Sequence, residues 1–153
     1  METEIHYNLL CSIDTVTTLE RLKIVDFLYN HLDEYGDTKE DIGKALDYAL
    51  SDFHHQGGFV VVASENDKIV GCVVMLQTGM EGYVPENLLV YISVHGDMRG
   101  RGVGKQLMEK AIKFSQGNIA LHVEPDNPAR FLYEKMGFTT KYQEMRLVKE
   151  KSK

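Results

Sequence analysis

Apolar positions along the chain switch between two periods, and each switch marks an element. Residues 5–11 (IHYNLLC) read as a first strand. The spacing then lengthens. Leu19, Leu22, Val25, Tyr29 and Leu32 recur at helical intervals, and Gly36 stops the run. A second helical run holds Ile42, Leu46, Ala49, Leu50 and Phe53, with Thr38 and Asp41 near its start. Gly57-Gly58 breaks it. Residues 59–64 (FVVVAS) and 69–76 (IVGCVVML) are β-rich, and the polar link Glu65-Asn66-Asp67-Lys68 predicts a hairpin between them. A further strand is predicted over 88–94 (LLVYISV). A glycine-rich loop follows, then a helix carrying Leu107, Met108, Ala111 and Ile112 that ends at Gly117. The pattern closes with a strand over 119–124 (IALHVE), a short helix from Pro128 to Met136, and closing strands from Phe138 to Val148. This order predicts a mixed α/β domain with both antiparallel and parallel-type connections.

Length and composition narrow the picture. The 153 residues fit one domain, 1–153, with a single core. No internal repeat, low-complexity tract or linker divides them; only Lys149–Lys153 read as a frayed polar tail. Seventeen basic against 23 acidic residues give a net charge of −6, which argues against nucleic acid as a partner. No apolar run reaches the roughly 18 residues of a membrane span, so no membrane partner is expected. The acidic opening Met1-Glu2-Thr3-Glu4 lacks the apolar core of a secretion signal. The two cysteines, Cys11 and Cys72, lie in apolar strand-like runs. Neither forms a disulfide framework nor a CxxC pair, so a reduced cytoplasmic setting is expected. Cys72 reads as a buried thiol rather than a nucleophile. His54-His55 are adjacent and lack the i, i+4 spacing of a helical ligand pair, so no metal site is expected.

The chemistry concentrates in Arg99-Gly100-Arg101-Gly102-Val103-Gly104-Lys105, between a predicted strand and a predicted helix. Alternate glycines let a ligand approach the backbone without Cβ obstruction. The free N–H groups and positive dipole end of the following helix favour an anion, and Arg99, Arg101 and Lys105 add charge. The expected ligand is a phosphate or pyrophosphate; the alternative is a tight turn with a solvated basic rim. A Walker A loop is ruled out, because Arg99 and Gln106 stand where it needs glycine and Ser or Thr. A GxGxxG dinucleotide loop fails at Lys105. Both failures weaken a nucleotide-phosphate binder.

Arg99-Gly100-Arg101-Gly102-Val103-Gly104 matches the Q/R-x-x-G-x-G/A signature, and the chain resembles the GNAT acetyltransferase superfamily. The run Tyr91–Met98 resembles the strand and turn that precede this loop in the family. Asn127-Pro128-Ala129-Arg130-Phe131-Leu132-Tyr133-Glu134-Lys135-Met136-Gly137-Phe138 is similar to its N-x-A-x-x-L-Y-E-K-x-G-F ending. The resemblance covers residues 59–148; residues 1–58 match only in element order. It implies a GNAT fold: a mixed central sheet of about six to seven strands, about four flanking helices, and a splayed parallel strand pair, here 88–94 and 119–124. It also implies acetyl-CoA as cosubstrate, with its pantetheine arm on the backbone of Ile92, Ser93 and Val94. The pyrophosphate would lie on the loop from Arg99 and Gly100 through Arg101, Gly102, Val103 and Gly104 to Lys105. Ile92 and Val94 can equally pack in the core. Asn127 reads as a helix cap before Pro128, and the resemblance adds a contact to CoA.

The same resemblance gives Tyr133 the role of the acid that protonates the departing thiolate, against plain packing of an aromatic at helical spacing. The general base is less direct. Leu88 stands where many members carry glutamate. His122, two residues before Glu124, occupies a second position where some N-terminal acetyltransferases carry glutamate, and histidine titrates near the working pH. Its alternative is a structural histidine, with Glu86 and Glu124 as substitutes. The resemblance therefore implies an N-acetyltransferase acting on a primary amine in a ternary complex. The alternative is a non-catalytic acetyl-CoA-binding sensor or assembly module, favoured by Leu88. Residues 14–52 hold ten acids and four bases, a balance equal to the whole chain's −6. Such a wall would attract a cationic amine acceptor, or it is simply a solvated face. Asp33-Glu34-Tyr35, with Tyr29 and Tyr83, are candidates to line the acceptor pocket. Either a monomer or a homodimer is compatible with the pattern.

Overall fold

The computed structural model describes residues 4–150. The acidic opening Met1–Thr3 and the tail end at 151–153 lie outside the described residues. The chain runs β1 (His6–Leu10), α1 (Thr18–His31), a 3-10 turn (Asp33–Tyr35), α2 (Lys39–Ala49), β2 (Gly58–Glu65), β3 (Lys68–Gln77) and β4 (Asn87–Val94). A second 3-10 turn (Gly96–Met98), α3 (Val103–Phe114), β5 (Ile119–Leu121) and α4 (Arg130–Lys135) complete it. The two long N-terminal helices start where hydroxyl caps are available. Thr17 and Thr38 Oγ1 accept from the N–H groups of Glu20 and Asp41, at 3.1 and 3.2 Å.

The sheet order is β1-β2-β3-β4-β5, antiparallel throughout except for the parallel β4–β5 pair. Helices cover both faces, which is why β2 and β3 are almost continuously apolar instead of alternating. Val60, Cys72, Val74 and Tyr91 meet Leu28, Ile42 and Leu46 on the α1–α2 face. Val61, Val73, Met75 and Leu89 meet Leu107, Met108 and Tyr133 on the other. Gly71 lets α3 approach closely: a Cβ there would sit 2.8 Å from Leu107 Cδ1. A register shift in β4 decides which of its side chains face which helices. Val74 pairs with Tyr91 but Met75 with Leu89, so Val90 is an extra residue in β4. The bulge puts both Val90 and Tyr91 on the α1–α2 face, while Leu89 and Ile92 face α3.

Three expectations change. The stripe expected to bury α1 holds only in part: Val25 is buried and Leu32 packs on the core, but Leu19, Leu22 and Tyr29 are exposed, and Ile24, Phe27 and Leu28 are buried instead. Apolar residues occur around most of this helix, so spacing alone leaves its inner face undetermined. Phe53 lies beyond the end of α2 and is exposed. The sheet has five strands, not about six to seven. β5 ends at Leu121, with His122–Asp126 exposed, and Phe138–Val148 forms no strand among the described residues. Phe138 packs edge-on against Tyr133, and the chain beyond it stands off the sheet with Tyr142, Met145, Leu147 and Val148 exposed. A three-residue β5 offers little ladder for another strand to join.

Candidate active site

The parallel pair holds for only three residues: Asn87 with Ile119, Leu88 with Ala120, Leu89 with Leu121. Its start is pinned. Asn87, buried, donates from Nδ2 to the carbonyls of Gln116 (2.6 Å) and Asn118 (3.2 Å), and Glu86 Oε1 accepts from the Asn118 N–H. Beyond Leu89 the strands part. β4 continues to Val94 while the other chain leaves the sheet at His122. The result is a cleft of about 270 Å³. One wall is β4 from Leu89 to Val94. The opposite wall is Leu121, His122, Asn127–Ala129 and Tyr133, and His31, Leu32, Asp33 and Tyr35 close one side. The β4 edge facing this gap has no ladder partner from β5, so an extended, amide-bearing ligand can pair with it.

The glycine loop stands at the far end of that open edge. Gly100 and Gly102 have φ of 80° and 75°, and a Cβ at either would meet nothing within 4 Å. Glycine is needed there for backbone shape, and the space beside it is open. The first helical bond of α3 is Gln106 N–H to Gly102 C=O, 3.0 Å. The N–H groups ahead of it at the helix start have no helical acceptor. Of the three cations, Arg99 lines the cleft. Arg101 turns away and donates to Glu65 Oε2 at 2.8 Å, bracing the loop against the end of β2. Lys105 lies 4.0 Å from Glu109.

Tyr133 enters from α4. It is buried, yet its ring lines the cleft, and burial pushes its pKa up to about 12. Asn127 Oδ1 accepts from the Ala129 N–H at 2.9 Å, shaping the turn into α4. The helix proper begins at Arg130, two residues later than expected. Ile92 and Val94 pack against the α3-side core. Ser93, buried, donates from Oγ to the His31 carbonyl at 2.6 Å. His31 lies between Phe27 and His95, with ring centroids 4.5 and 4.6 Å away. Burial first, then His95, lowers its pKa. Glu86 and Glu124 do not line the cleft, and Leu88 is engaged in the β4–β5 ladder.

Of the three candidate acceptor-side tyrosines, only Tyr35 lines the cleft. Its hydroxyl donates to the Asp126 carbonyl at 3.3 Å, spanning the mouth from one wall to the other. Burial, then the negative charges of Asp126 and Glu34, raise its pKa. Tyr29 lies under Lys39 Nζ, 5.1 Å from the ring centroid, and Tyr83 is exposed. His31's place at the cleft and the pairing of Tyr91 with Asp37, which itself lies outside the cleft lining, carry no signal in the sequence pattern. Tyr91 Oη donates to Asp37 Oδ2 at 2.5 Å across 54 positions of sequence, and the Val90 bulge hides Tyr91's facing from any alternation rule. Among the described residues no group of three or more His, Cys, Asp or Glu is placed to hold a metal ion. No described helix is long and apolar enough to cross a membrane.

A mixed sheet whose parallel pair splays beside a glycine-rich helix start defines an α/β domain with an open cleft at the splay. The family comparison gives the class: a model for the acetyltransferase (GNAT) domain matches residues 56–140, more than half of the chain, and the chain belongs to that family. No curated protein matches the chain. Solved structures share the fold. A chain of the NatC complex bound to Gag peptide and CoA is 24% identical with a TM-score of 0.71, covering 91% of this chain and 87% of its own. The GNAT family protein SP0256 from Streptococcus pneumoniae TIGR4 is 19% identical (TM-score 0.67), over 97% of this chain and 100% of its own. A ribosomal-protein-alanine N-acetyltransferase from Brucella melitensis biovar Abortus 2308 is 20% identical (TM-score 0.60), over 95% and 99%.

Proposed function

We propose that this chain transfers the acetyl group of acetyl-CoA directly to a primary amine. The observation that carries the reading is the parting of β4 and β5 after Leu89, with a glycine loop at the end of the open edge. The residues fit the cosubstrate. Along Ile92, Ser93 and Val94, β4 pairs with β3 on one side, and its other edge, beyond the β5 ladder, is offered to the two amides of the pantetheine arm. The N–H groups from Gly102 through Val103 and Gly104 to Lys105 receive the pyrophosphate, with Gly100 shaping the turn, Arg99 supplying charge and Arg101 bracing the loop. Asn127 stands at the opposite wall. No metal enters this scheme.

The amine is mostly protonated near neutral pH and must first lose a proton. His122, exposed on the wall facing β4, accepts it. The free amine attacks the thioester carbonyl, and the Val94 N–H stabilises the oxyanion. Collapse breaks the C–S bond, Tyr133 gives its proton to the leaving sulfur, the new amide nitrogen sheds its second proton to solvent, and Tyr133 regains one from solvent. The acceptor is a cationic amine. Asp33 lines the entrance, and no described ion pair neutralises Asp33, Glu34 or Asp37, whereas Arg21, Lys39 and Lys44 are spent on other acids of the same region. The relatives bound to a peptide or named for ribosomal-protein alanine put peptide N-termini in the panel beside polyamines and aminoglycosides. The two free thiols, one fully buried, fit a reducing cytoplasmic setting.

A second reading, an acetyl-CoA-binding module without catalysis, draws on one observation: Leu88 is locked in the ladder, and Glu86 is turned to the Asn118 N–H, so β4 offers the cleft no carboxylate. Thiol release from acetyl-CoA, measured against that panel, decides between the two. Amine-dependent release that collapses in Tyr133→Phe and His122→Ala supports transfer. Tight acetyl-CoA binding with no release on any amine supports the module. No binding of acetyl-CoA overturns both.

A further inference from the structure

The connection between α1 and α2 hangs from β4 at two points. At its start, Ser93 Oγ donates to the His31 carbonyl, 2.6 Å, at the last residue of α1. At its end, Tyr91 Oη donates to Asp37 Oδ2, 2.5 Å, one residue before the Thr38 cap of α2. Tyr91 and Ser93 are both nearly inaccessible to solvent. Between the two attachments the chain makes a 3-10 turn. It carries Asp33 and Tyr35 to the cleft, with Asp33 in the left-handed region at φ 54°. That turn buries no residue of its own. Its position is therefore set by its two ends and by the Tyr35 hydroxyl on the Asp126 carbonyl of the opposite wall. Both ends are fixed to the strand that, in the proposed function, takes acetyl-CoA along its open edge.

Side-chain and edge directions in a strand are orthogonal, so one residue can serve both. Tyr91 and Ser93 send their hydroxyls out of the sheet to the connection while the β4 edge lies in the plane of the sheet, open to the cosubstrate. We propose that Tyr91 and Ser93 are positioning residues that couple the two sites: acetyl-CoA, by completing the β4 edge, fixes the 32–37 connection and so forms the acceptor wall. The inference rests on the proposed function, since it needs acetyl-CoA to occupy this edge. The coupling is reciprocal in free energy: acetyl-CoA tightens the amine by the factor with which the amine tightens acetyl-CoA.

Hydrogen exchange of the full chain, read by mass spectrometry with and without saturating acetyl-CoA, tests it without needing the acceptor. In the wild type, acetyl-CoA slows exchange both in peptides covering β4 and in those covering 32–37. In Tyr91→Phe, which keeps the buried ring, and in Asp37→Ala, β4 is still protected but the slowing over 32–37 falls at least fivefold. Asp37→Asn keeps an oxygen to accept the bond and restores most of it. A merely structural role would speed exchange in 32–37 equally with and without acetyl-CoA. That result, or equal acetyl-CoA protection of 32–37 in wild type and Tyr91→Phe, overturns the proposal. If acetyl-CoA binds but leaves wild-type β4 unprotected, the placement of the cosubstrate is wrong and the coupling falls with it. Once an amine acceptor is in hand, Tyr91→Phe should raise its KM more than it lowers kcat.

Discussion

A phenol can act as an acid only while it keeps its proton, and burial ensures this for Tyr133. The raised pKa, about 12 against an ordinary value of 10.0, means that the neutral form persists to higher pH. The rate between pH 7 and 10 should therefore show no loss attributable to this group. Tyr133→Phe keeps the ring and its edge contact with Phe138, so the fold survives while kcat falls about 10²–10³-fold, within the usual range for removing a positioned acid. Stability carries the same signature. The folded pKa lies above the unfolded one, so this contribution is complete below pH 10 and lost as pH climbs through 12. That alkaline loss reaches about 2–3 kcal/mol in urea melts, and Tyr133→Phe, with no proton to lose, does not show it. His122 makes a different prediction. His122→Ala should slow transfer most near neutral pH, and raising the pH should relieve the loss, because the amine then yields its proton to solvent. Equal losses at every pH would assign His122 a structural role.

Elements are set by a few backbone positions that accept no side chain. At Gly58, where β2 begins, φ is +143°, and a Cβ would fall 2.0 Å from the Met75 carbonyl oxygen across the ladder. Backbone cannot yield there as a side-chain tip can. Gly58→Ala should cost roughly 3 kcal/mol or more, or prevent folding, as seen by urea denaturation. Gly102 takes a φ of 75°, which strains any residue with a Cβ, but a Cβ there meets no neighbour, so Gly102→Ala should cost only about 1–2 kcal/mol. Its acetyl-CoA affinity should fall about tenfold or more, because the loop N–H groups lose their alignment. An unchanged affinity in a folded Gly102→Ala protein would remove the loop from the binding site. These positions also show what the sequence disclosed. The glycine loop was legible because its spacing is local and its chemistry follows from the backbone. The Glu65–Lys68 turn was legible for the same reason; Asn66 and Asp67 both take positive φ. The length of β5 was not. Residues 119–124 alternate as a strand should, but pairing needs a neighbour, and β4 turns from β5 after Leu89. The Val90 bulge was equally hidden, since it exists only relative to β3. Tyr91 and Asp37 are therefore invisible as a pair, whereas Tyr133 was nominated through a motif and His122 through its place on the second strand, and the structure puts both at the cleft.

Charge is a property of the whole molecule, and here its distribution was readable as arithmetic but its meaning was not. The −6 carried by residues 14–52 is partly consumed within the helices: Arg21 holds Asp47, Lys39 holds Asp26, and Lys44 lies near Glu40 and Asp41. What remains is divided: among the described residues, Asp33, Glu34 and Asp37 at the connection have no cationic partner, and Asp14, Glu20 and Asp52 elsewhere form no ion pair either. Tyr35 brings Asp126 of the other wall close to the connection. Of these acids Asp33 lines the cleft, and under the proposed function its field acts at the cleft's mouth. Such a field raises the local concentration of a cation and is screened by salt. With acetyl-CoA saturating, kcat/KM for a polyamine acceptor should fall about three- to tenfold as ionic strength rises from roughly 0.01 to 0.15 M, where the screening length shrinks from about 30 to about 8 Å. Asp33→Asn should flatten that slope and raise KM at low salt while leaving the acetyl-CoA affinity within about twofold, because the glycine loop lies at the far end of the β4 edge. A salt slope unchanged by Asp33→Asn would make the acids a solvated face after all, and the acceptor's charge would then play no part in its selection.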